Sequence, residues 1–579
     1  MKYPYLSELN TTRELIDVFR GYNHNLRIGD GEFYEMKNLS SNDYPILSPR
    51  PVRGVYATPN IPQGMISKDA LCYVDGGDFI INEHRVSMGL TVDDAPKSLI
   101  SMGAYVIIMP DKKYINTADL SDYGPIEASV TTAGTVTFSL CKEDGNDYAD
   151  VAVQSTEPAS PKNFDLWLDT STVPNALKQY SETSKMWVSI ATTCIKIASY
   201  GIGIPFNEGD GVTISGIEDA ALSDLNNTMI VQAKSDHYIV VTGIIDKVIT
   251  QETAMSVKRQ MPNMDFVIES ENRLWGCRYG TALNGEVVNE IYASKLGDFK
   301  NWNCFNGIST DSYAVTVGTD GQFTGAVTHL GYPLFFKENC MHKIYGNYPA
   351  NYQVLTTACR GVQKGCSRSL SIVNETLYYK ARTGVCAYDG SLPVEISSAL
   401  GDVVYGDAVA GSIGNKYYIS MKDNEGNFHL FVYDAAKGMW HREDDTEAVQ
   451  FCNCRGDLYY IDHDYNQIKT VKGTGVPEKK AIKWEAVTGL IGTSSPDKKY
   501  ISRLDVRMSL PFGARVFFFI QYDSSKEWEQ LYSAVGTSLK SFPVPIKPKR
   551  CDHFRLKIVG EGDAKIFSIC KTIEQGSDV

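Results

Sequence analysis

The chain has 579 residues, enough for several domains, and its 56 basic and 69 acidic residues give a formal charge of −13. This charge argues against general binding of nucleic acid through neutralised phosphates, although an acidic wall would let DNA pass without adhering. The 34 tyrosines, 22 phenylalanines and 48 glycines, with no long helical periodicity beyond the first thirty residues, indicate an all-β protein.

The 13 cysteines are odd in number and scattered, as in proteins made in a reducing cytoplasm. The first residues lack the apolar core of a signal peptide. The apolar runs have the length of strands and fall short of a membrane helix. We therefore expect a protein that is made in the cytoplasm and does not insert into a membrane.

The N-terminal region is predicted to hold one helix and one extended arm. Residues 11–19 carry a threonine cap and a short apolar face, which predict a helix. Residues 44–54 contain three prolines, which disfavour a helix and suit an extended arm.

Two arginines of this arm, Arg50 and Arg53, are candidate interaction residues. An extended segment loses little entropy on binding, so the arm could reach a neighbouring protein. The alternative is that the arm straps across the protein's own surface.

A two-strand pattern recurs along the chain, and it is clearest between residues 374 and 472. Each copy has a polar turn, a strand rich in aromatic and β-branched residues, a Gly/Asp/Asn turn and a second strand. Tyr378, Tyr417 and Tyr459 begin the tyrosine pairs of three copies and lie 39 and 42 residues apart. A period of about 40–45 residues is typical of a β-propeller blade. Two earlier copies between 69 and 116 and two between 272 and 346 bring the total to seven and predict a seven-bladed propeller, with six or eight blades as the alternatives.

The stretch 118–262 is too long for a loop inside a blade and has strand patterns of its own. We expect one or two small β domains inserted into the propeller. Trp167 and Trp187 lie in a hairpin pattern within this stretch. If exposed, they could stack on sugar rings or dock a neighbouring subunit, and if buried they form the core of a small domain.

From about residue 480 the pattern changes to half-buried strands, which predict a C-terminal β-sandwich of jelly-roll type. The predicted organisation has five parts. These are an N-terminal arm with the first strands (1–56), the first blades (57–117), the inserted β domains (118–262), the remaining blades (263–478) and the sandwich (479–579).

Several strings of the sequence resemble the propeller proteins among the tail components of tailed phages, over most of the chain. They include Arg20-Gly21-Tyr22-Asn23, Tyr44-Pro45-Ile46-Leu47-Ser48-Pro49-Arg50, Asn289-Glu290-Ile291-Tyr292-Ala293-Ser294 and Arg550-Cys551-Asp552-His553-Phe554-Arg555. The resemblance to these hub, nozzle or stabilisation proteins implies a structural virion subunit, with a hexamer favoured. Its partners would be the portal and adaptor proteins and other tail components or fibres, and it would frame a channel for DNA ejection without binding the DNA specifically.

Motifs for hydrolytic chemistry are absent from the sequence: it has no nucleophile elbow, zinc-binding His-Glu-x-x-His or phosphate-binding loop. Residues 319–324 come nearest to a sialidase Asp box but lack its spacing and its tryptophan. We therefore predict no enzyme, no catalytic residue, no metal and no cofactor. The Cys452/Cys454 pair and the acidic turns at 443–445 and 208–210 are interpreted as buried thiols and solvated loops.

Two alternatives from other functional classes remain open. One is a hydrolase or lyase of envelope glycans, which paired carboxylates about 5–10 Å apart in a propeller pocket would favour. The other is a glycan-binding adhesin that uses the tryptophan hairpin.

Overall fold

The computed structural model describes residues 11–93, 95–282, 285–479, 481–494 and 497–575, and nearly all of its regular structure is β-strand. The helices of these residues are short 3₁₀ turns at Ala220–Leu225, Pro349–Asn351, Ser367–Ser369 and Ser398–Leu400. Among the described residues no helix has both the length and the apolar character needed to cross a membrane.

Seven units of four antiparallel strands follow one another along the chain and form the blades of a propeller. Five of them are separate sheets, the sixth belongs to a 12-stranded sheet, and the seventh belongs to a five-stranded sheet. Their strands, numbered by blade, are Pro62–Ser67, Leu71–Asp75, Asp78–Ile81 and His84–Ser87 (blade 1); Ser98–Met102, Tyr105–Met109, Lys113–Asn116 and Tyr123–Pro125 (blade 2); Phe266–Ser270, Arg273–Thr281, Val287–Ala293 and Tyr313–Thr316 (blade 3); Gly325–His329, Tyr332–Lys337, Cys340–Tyr345 and Gln353–Ala358 (blade 4); Ser371–Val373, Thr376–Lys380, Val385–Tyr388 and Val394–Glu395 (blade 5); Tyr405–Ile413, Lys416–Asp423, Phe428–Asp434 and Met439–Asp444 (blade 6); and Ala448–Cys454, Asp457–Asp462, Gln467–Thr470 and Gly54–Ala57 (blade 7).

The blades close into a ring. The first strands of successive blades contact one another from blade 1 to blade 4 and from blade 5 to blade 7, and the first strand of blade 7 contacts that of blade 1. Between blades 4 and 5, the first strand of blade 4 contacts the 3₁₀ turn Ser367–Ser369. Blade 7 is completed by Gly54–Ala57, which comes from the N-terminal part of the chain and pairs with Gln467–Thr470; Val476–Pro477 adds a short fifth strand. The β-propeller and its seven blades are confirmed.

The recurring aromatic pattern is the second strand of each late blade. Thr376–Lys380 and Asp457–Asp462 are buried almost throughout because a blade packs on a neighbour at each face. The rings of Tyr378 and Tyr417 lie 5.3 Å apart and join blades 5 and 6. The aromatic residues that reveal the repeat therefore also hold the blades together.

Arg368 ties the ring across its centre. Its guanidinium donates to the carbonyl oxygens of Pro96, at 2.8 Å, and of Val449, at 3.2 Å. Arg368 belongs to the turn between blades 4 and 5, whereas its acceptors lie before blade 2 and in blade 7. Burial lowers the pKa of this guanidinium to about 10, so it still carries its charge at neutral pH.

The chain between blades 2 and 3 forms an inserted lobe with three sheets and a core of its own. Arg259 and Asp210 form a buried ion pair in this lobe, and Asn301 of the propeller donates to Asp210 at 2.8 Å. The strands are Ala128–Thr131, Ser256–Arg259, Gly211–Ser215 and Thr228–Ile230; Ala233–Ser235, Tyr238–Thr242, Cys194–Ala198, Val136–Cys141 and Ile249–Gln251; and Val151–Gln154, Leu166–Asp169, Ala176–Ser181 and Met186–Ser189.

The C-terminal β domain is built on one long strand, Lys499–Tyr522. Its first half pairs with Lys565–Gln575 and its second half with Phe554–Glu561, so it belongs to both layers of the sandwich. Glu529–Val544 pairs along its other side, and Lys483–Thr488 pairs with Phe554–Glu561.

The N-terminal segment joins this domain to the propeller. The predicted helix is wrong: Thr11–Ile16 is a strand that pairs with Lys565–Gln575. Pairing with a distant strand overrides a weak local helix preference. Glu32–Lys37 pairs with Lys483–Thr488, and Gly21–Tyr22 pairs with blade 6 through Tyr22 and Trp440. A two-residue pairing of Leu39–Ser40 with Ser48–Pro49 follows.

Candidate functional site

An open cleft lies where blade 6 meets the N-terminal strands. It consists of two adjoining cavities of about 510 and 460 Å³, separated by the linker of residues 402–405 that leads from blade 5 into blade 6. The larger cavity is lined by Tyr22, His24, Glu35, Met36, Asp402, Val403, Val404, Tyr405, Asp423, Asn424, Glu425, His429 and Arg442. Four separate parts of the chain thus meet at one cavity, where the N-terminal strands contact blade 6.

A chain of hydrogen bonds fixes one wall of the larger cavity. His429 Nε2 lies 2.8 Å from the Asp423 carboxylate, and Arg442 Nε donates to His429 Nδ1 at 3.1 Å. Since Nδ1 accepts, the proton sits on Nε2 and is donated to Asp423. Arg442 is also paired with Asp445. The wall is therefore rigid, and its imidazole is held in one tautomer.

Asp423 is committed to this wall. Its carboxylate also accepts from the backbone N–H groups of Glu425 and Asn427, each at 2.9 Å, which closes the turn between two strands of blade 6. The hydrogen bond from His429, helped by those from Asn427, lowers the pKa of Asp423 to about 2. Asp423 is ionised at every physiological pH and positions His429.

Two buried tyrosines offer hydroxyl groups to the cavity. Burial raises the pKa of Tyr405 to about 12 and that of Tyr22 further still, so neither phenol ionises near neutral pH. In the part of the chain that the structure describes, neither hydroxyl has a hydrogen-bond partner. Each can therefore donate to or accept from a ligand.

Charged groups without partners complete the larger cavity. Glu35 lies at a β-bulge of strand Glu32–Lys37, and Asp402 and Glu425 are exposed on the linker and on a turn. None of these three carboxylates has an ion-pair partner among the described residues, and Nη1 of Arg442 has no hydrogen bond there. Uncommitted donors and acceptors thus face the same space.

The smaller cavity has a more basic lining. Lys380 donates to Gln363 at 2.8 Å and to a backbone carbonyl, and burial lowers its pKa. Glu395 pairs with Arg360 at 2.9 Å, whereas Arg382 is exposed at the rim. This side of the cleft could take the continuation of a chain-like ligand held in the larger cavity.

A third cavity, of about 310 Å³, lies between the N-terminal strands and the C-terminal domain. Two carboxylates at its wall, Glu14 and Asp30, both bind Lys571, at 3.0 and 2.7 Å. The lysine is buried, holds both carboxylates in ion pairs and offsets one of their two negative charges. These acids are consequently unsuited to acid–base work on a ligand.

The arm arginines are bound within the chain. Arg53 is buried and pairs with Glu443 and Asp444, each at 2.7 Å, and Arg50 donates to Asn38 at 2.8 Å. The arm thus lies across the protein's own propeller, and contact of Arg50 and Arg53 with a neighbouring protein stays a prediction. The prediction of a solvated loop at 443–445 is wrong for Glu443 and Asp444, which end a strand of blade 6 and form ion pairs within the chain.

The two candidate tryptophans meet in the small sheet of the inserted lobe. Their rings contact edge to face at 5.5 Å, and Lys178 lies 4.6 Å from the ring centre of Trp167. Trp167 is 6% exposed, and its indole N–H donates to the carbonyl of Gln154 at 2.9 Å. In this chain Trp167 is a core residue of the small sheet, and Trp187 is half-buried beside it.

Replacing Trp167 with alanine is expected to destabilise the inserted lobe by about 3–5 kcal/mol, since the cavity would sit in a sheet with few other core residues. Protease susceptibility of the stretch 151–189 would report the loss. The matched control is Met186→Ser on the same sheet, which is 64% exposed and should change stability by less than about 0.5 kcal/mol. Equal resistance of the Trp167 variant and the wild type would contradict a core role.

The remaining metal candidates do not form a convincing site. Cys454 is buried against blade 1, and the 13 cysteines are free thiols. Glu447, His463 and Asp464 bring three ligand atoms within 4.8 Å of one another, but His463 and Asp464 are exposed, and such groups are common without a metal. They carry no metal assignment.

The cleft residues escaped the sequence analysis because they share no motif. Tyr22, Glu35, Tyr405 and Arg442 come from distant positions and meet only in the folded chain. The one local signal is the Asp/Gly/Asn turn at 423–427, which reads equally well as an ordinary hairpin turn.

Comparisons with known proteins give fold-level likeness alone. No family model matches the chain, and no curated protein matches it. Among solved structures, it is similar to an exo-β-1,3-galactanase from Phanerochaete chrysosporium, with 8% identity, a TM-score of 0.21 and coverage of 53% of this chain and 94% of that one. It is also similar to a Trypanosoma rangeli sialidase, with 10% identity, a TM-score of 0.19 and coverage of 90% and 96%.

These comparisons correct the main functional prediction. A structural phage-tail subunit without enzymatic activity was expected, whereas the solved structures that match include glycoside hydrolases, the class of the stated alternative. Since the TM-scores are near 0.2, no residue role is transferred from them, and any activity must be argued from this chain's own cleft. Nothing tests the likeness to tail proteins, the virion location or the predicted partners, which stay predictions.

Proposed function

We propose that the protein binds a glycan in the cleft beside blade 6 and hydrolyses it there. The observation that carries the proposal is the convergence of uncommitted polar groups on the larger cavity: the hydroxyls of Tyr22 and Tyr405, Nη1 of Arg442 and exposed carboxylates. Sugars carry hydroxyl groups that both donate and accept, so a mixed set of unpaired donors and acceptors suits them.

The charge of the cavity narrows the class of glycan. Four carboxylates line it, Glu35, Asp402, Asp423 and Glu425, against the single guanidinium of Arg442. This excess of negative charge repels uronic acids and sulfated sugars. Neutral and amino-sugar glycans are therefore the proposed substrates.

Glycoside hydrolysis requires one carboxylic acid to protonate the leaving oxygen and a second carboxylate as base or nucleophile. Glu35 is assigned as the acid, because it lines the cavity beside a β-bulge and forms no ion pair with any of the described residues. Asp402 and Glu425 are the candidates for the second role. His429 and Arg442 position the ligand from the fixed wall.

The test measures binding and reducing-end release with neutral, amino-sugar and anionic oligosaccharides. Glu35→Gln is expected to lower kcat/KM by about 100-fold or more, the usual contribution of an acid–base group, while leaving binding within a few-fold. Arg442→Ala should weaken binding itself. Glu182→Gln, an exposed carboxylate on the inserted lobe, is the matched control and should be silent.

The outcomes separate the alternatives. Binding without release, lost in Arg442→Ala, would favour an adhesin that uses this cleft. Neither binding nor release with any of the oligosaccharides would overturn the proposal.

A further inference from the structure

The C-terminal domain carries an open strand edge. Glu529–Val544 is 16 residues long and, among the described residues, pairs along one side only, with Lys499–Tyr522. Its other side presents backbone N–H and C=O groups to solvent. A long open edge of this kind can accept a strand of another chain.

An apolar patch lies beside this edge, where the long strand bends. Phe512 is fully exposed at the bend, and Val535 and Leu539 on the edge strand are 67% and 51% exposed. The patch is contiguous, since a Cβ built on Gly536 would lie 3.9 Å from the Cα of Phe512. Soluble proteins seldom expose such groups together unless another molecule covers them.

Unpaired cations border the patch. Arg515 follows the bend and Lys540 follows Leu539, and in the described part of the chain neither lies within ion-pair distance of a carboxylate. Residues 499–550 contain nine basic and four acidic residues, for a charge of +5, which leaves −18 for the rest of the chain. The hairpin and the remainder of the molecule are thus opposite in charge.

We propose that this hairpin is an interaction surface for a second copy of the chain. Phe512 is the aromatic anchor, and Arg515 and Lys540 contact the acidic body of the neighbour. Charge favours a second copy as the occupant, because the rest of that copy carries the complementary charge of −18. The same negative charge repels a polyanion such as nucleic acid. The contact joins two different surfaces and is therefore head-to-tail.

The test is sedimentation of the full chain over a range of protein and salt concentrations. The wild type is expected to self-associate, and the association should weaken as salt rises from about 0.05 to 0.5 M, since screening shortens the reach of the charges. Phe512→Ser and the double variant Arg515→Glu/Lys540→Glu should each weaken the association about tenfold or more.

Two matched controls change exposed residues outside the hairpin. Phe305→Ser removes a 58% exposed aromatic residue and Lys364→Glu reverses an exposed charge, and both should associate like the wild type. All four variants should keep the wild-type melting temperature, because exposed positions contribute little to stability. A wild type that stays monomeric throughout, an association unchanged by the hairpin variants, or salt-sensitive binding of DNA in its place would each overturn the proposal.

Discussion

Replacing Arg53 with methionine is expected to lower the free energy of unfolding by about 3–5 kcal/mol. Arg53 is 3% exposed and forms 2.7 Å ion pairs with Glu443 and Asp444. Its removal leaves the Glu443 carboxylate, itself 1% exposed, without its cation in the interior. An uncompensated buried charge costs far more than the ion pair contributes.

The position of Arg53 extends the effect to the closure of the ring. It directly precedes Gly54–Ala57, the strand that completes blade 7, and its partners lie at the end of blade 6. Breaking these ion pairs loosens the seam between blades 6 and 7. Protection of the amides of Gln467–Thr470 in hydrogen exchange should fall together with the global stability.

Urea unfolding followed by tryptophan fluorescence measures the loss, with Arg503→Met as the control. Arg503 also pairs with a carboxylate, Asp505 at 2.8 Å, but its side chain is 63% exposed, so its loss should cost less than about 0.5 kcal/mol. A cost below about 1 kcal/mol for Arg53→Met would show that the arm does not hold the ring closed.

Acidification from pH 6.5 to pH 4 is expected to remove about 3 kcal/mol of stability through His342 alone. His342 is fully buried, and its ring nitrogens lie 2.9 Å from the hydroxyls of Thr319 and Thr356. Burial, reinforced by the charge of Lys337, lowers the pKa of His342 to about 4. His441 is also buried, and its burial, reinforced by the charge of Lys416, lowers its pKa to about 3.

The sign of this dependence follows from the direction of the shift. The folded state holds His342 neutral below the unfolded pKa of about 6.5. Its contribution is therefore complete above pH 6.5 and is lost progressively as the pH falls towards 4. Carboxylates add further losses at lower pH, because folded pKa values such as that of Asp423 are depressed.

Denaturant unfolding at several pH values between 4 and 7 separates the histidines from the acids. In His342→Asn, the change in the free energy of unfolding between pH 4 and pH 7 should be about 3 kcal/mol smaller than in the wild type. The variant should also lose some stability at pH 7. His84→Asn, at an exposed position, should leave the pH dependence of the free energy of unfolding unchanged. An unaltered dependence in His342→Asn would refute the assignment.

The repeat was readable from the sequence because each blade is specified locally. Tyr378, Tyr417 and Tyr459 recur with their own turn residues, and hairpins with tight turns form between neighbours in the chain. The predicted count of seven came from these three copies together with four earlier ones. The pattern of half-buried strands beyond residue 480 likewise predicted a separate β domain.

The tertiary structure alone decided what depends on distant partners. Residues 11–16 form a strand because Lys565–Gln575 offers an open edge, and Gly54–Ala57 closes the ring because blade 7 lacks its fourth strand. The cleft also depends on residues that are distant in the sequence. Glu35 and Arg442 lie 407 positions apart, and they line one cavity because the N-terminal strands pack against blade 6. Local periodicity encodes strands and turns, whereas sites formed by long-range packing leave no pattern along the chain.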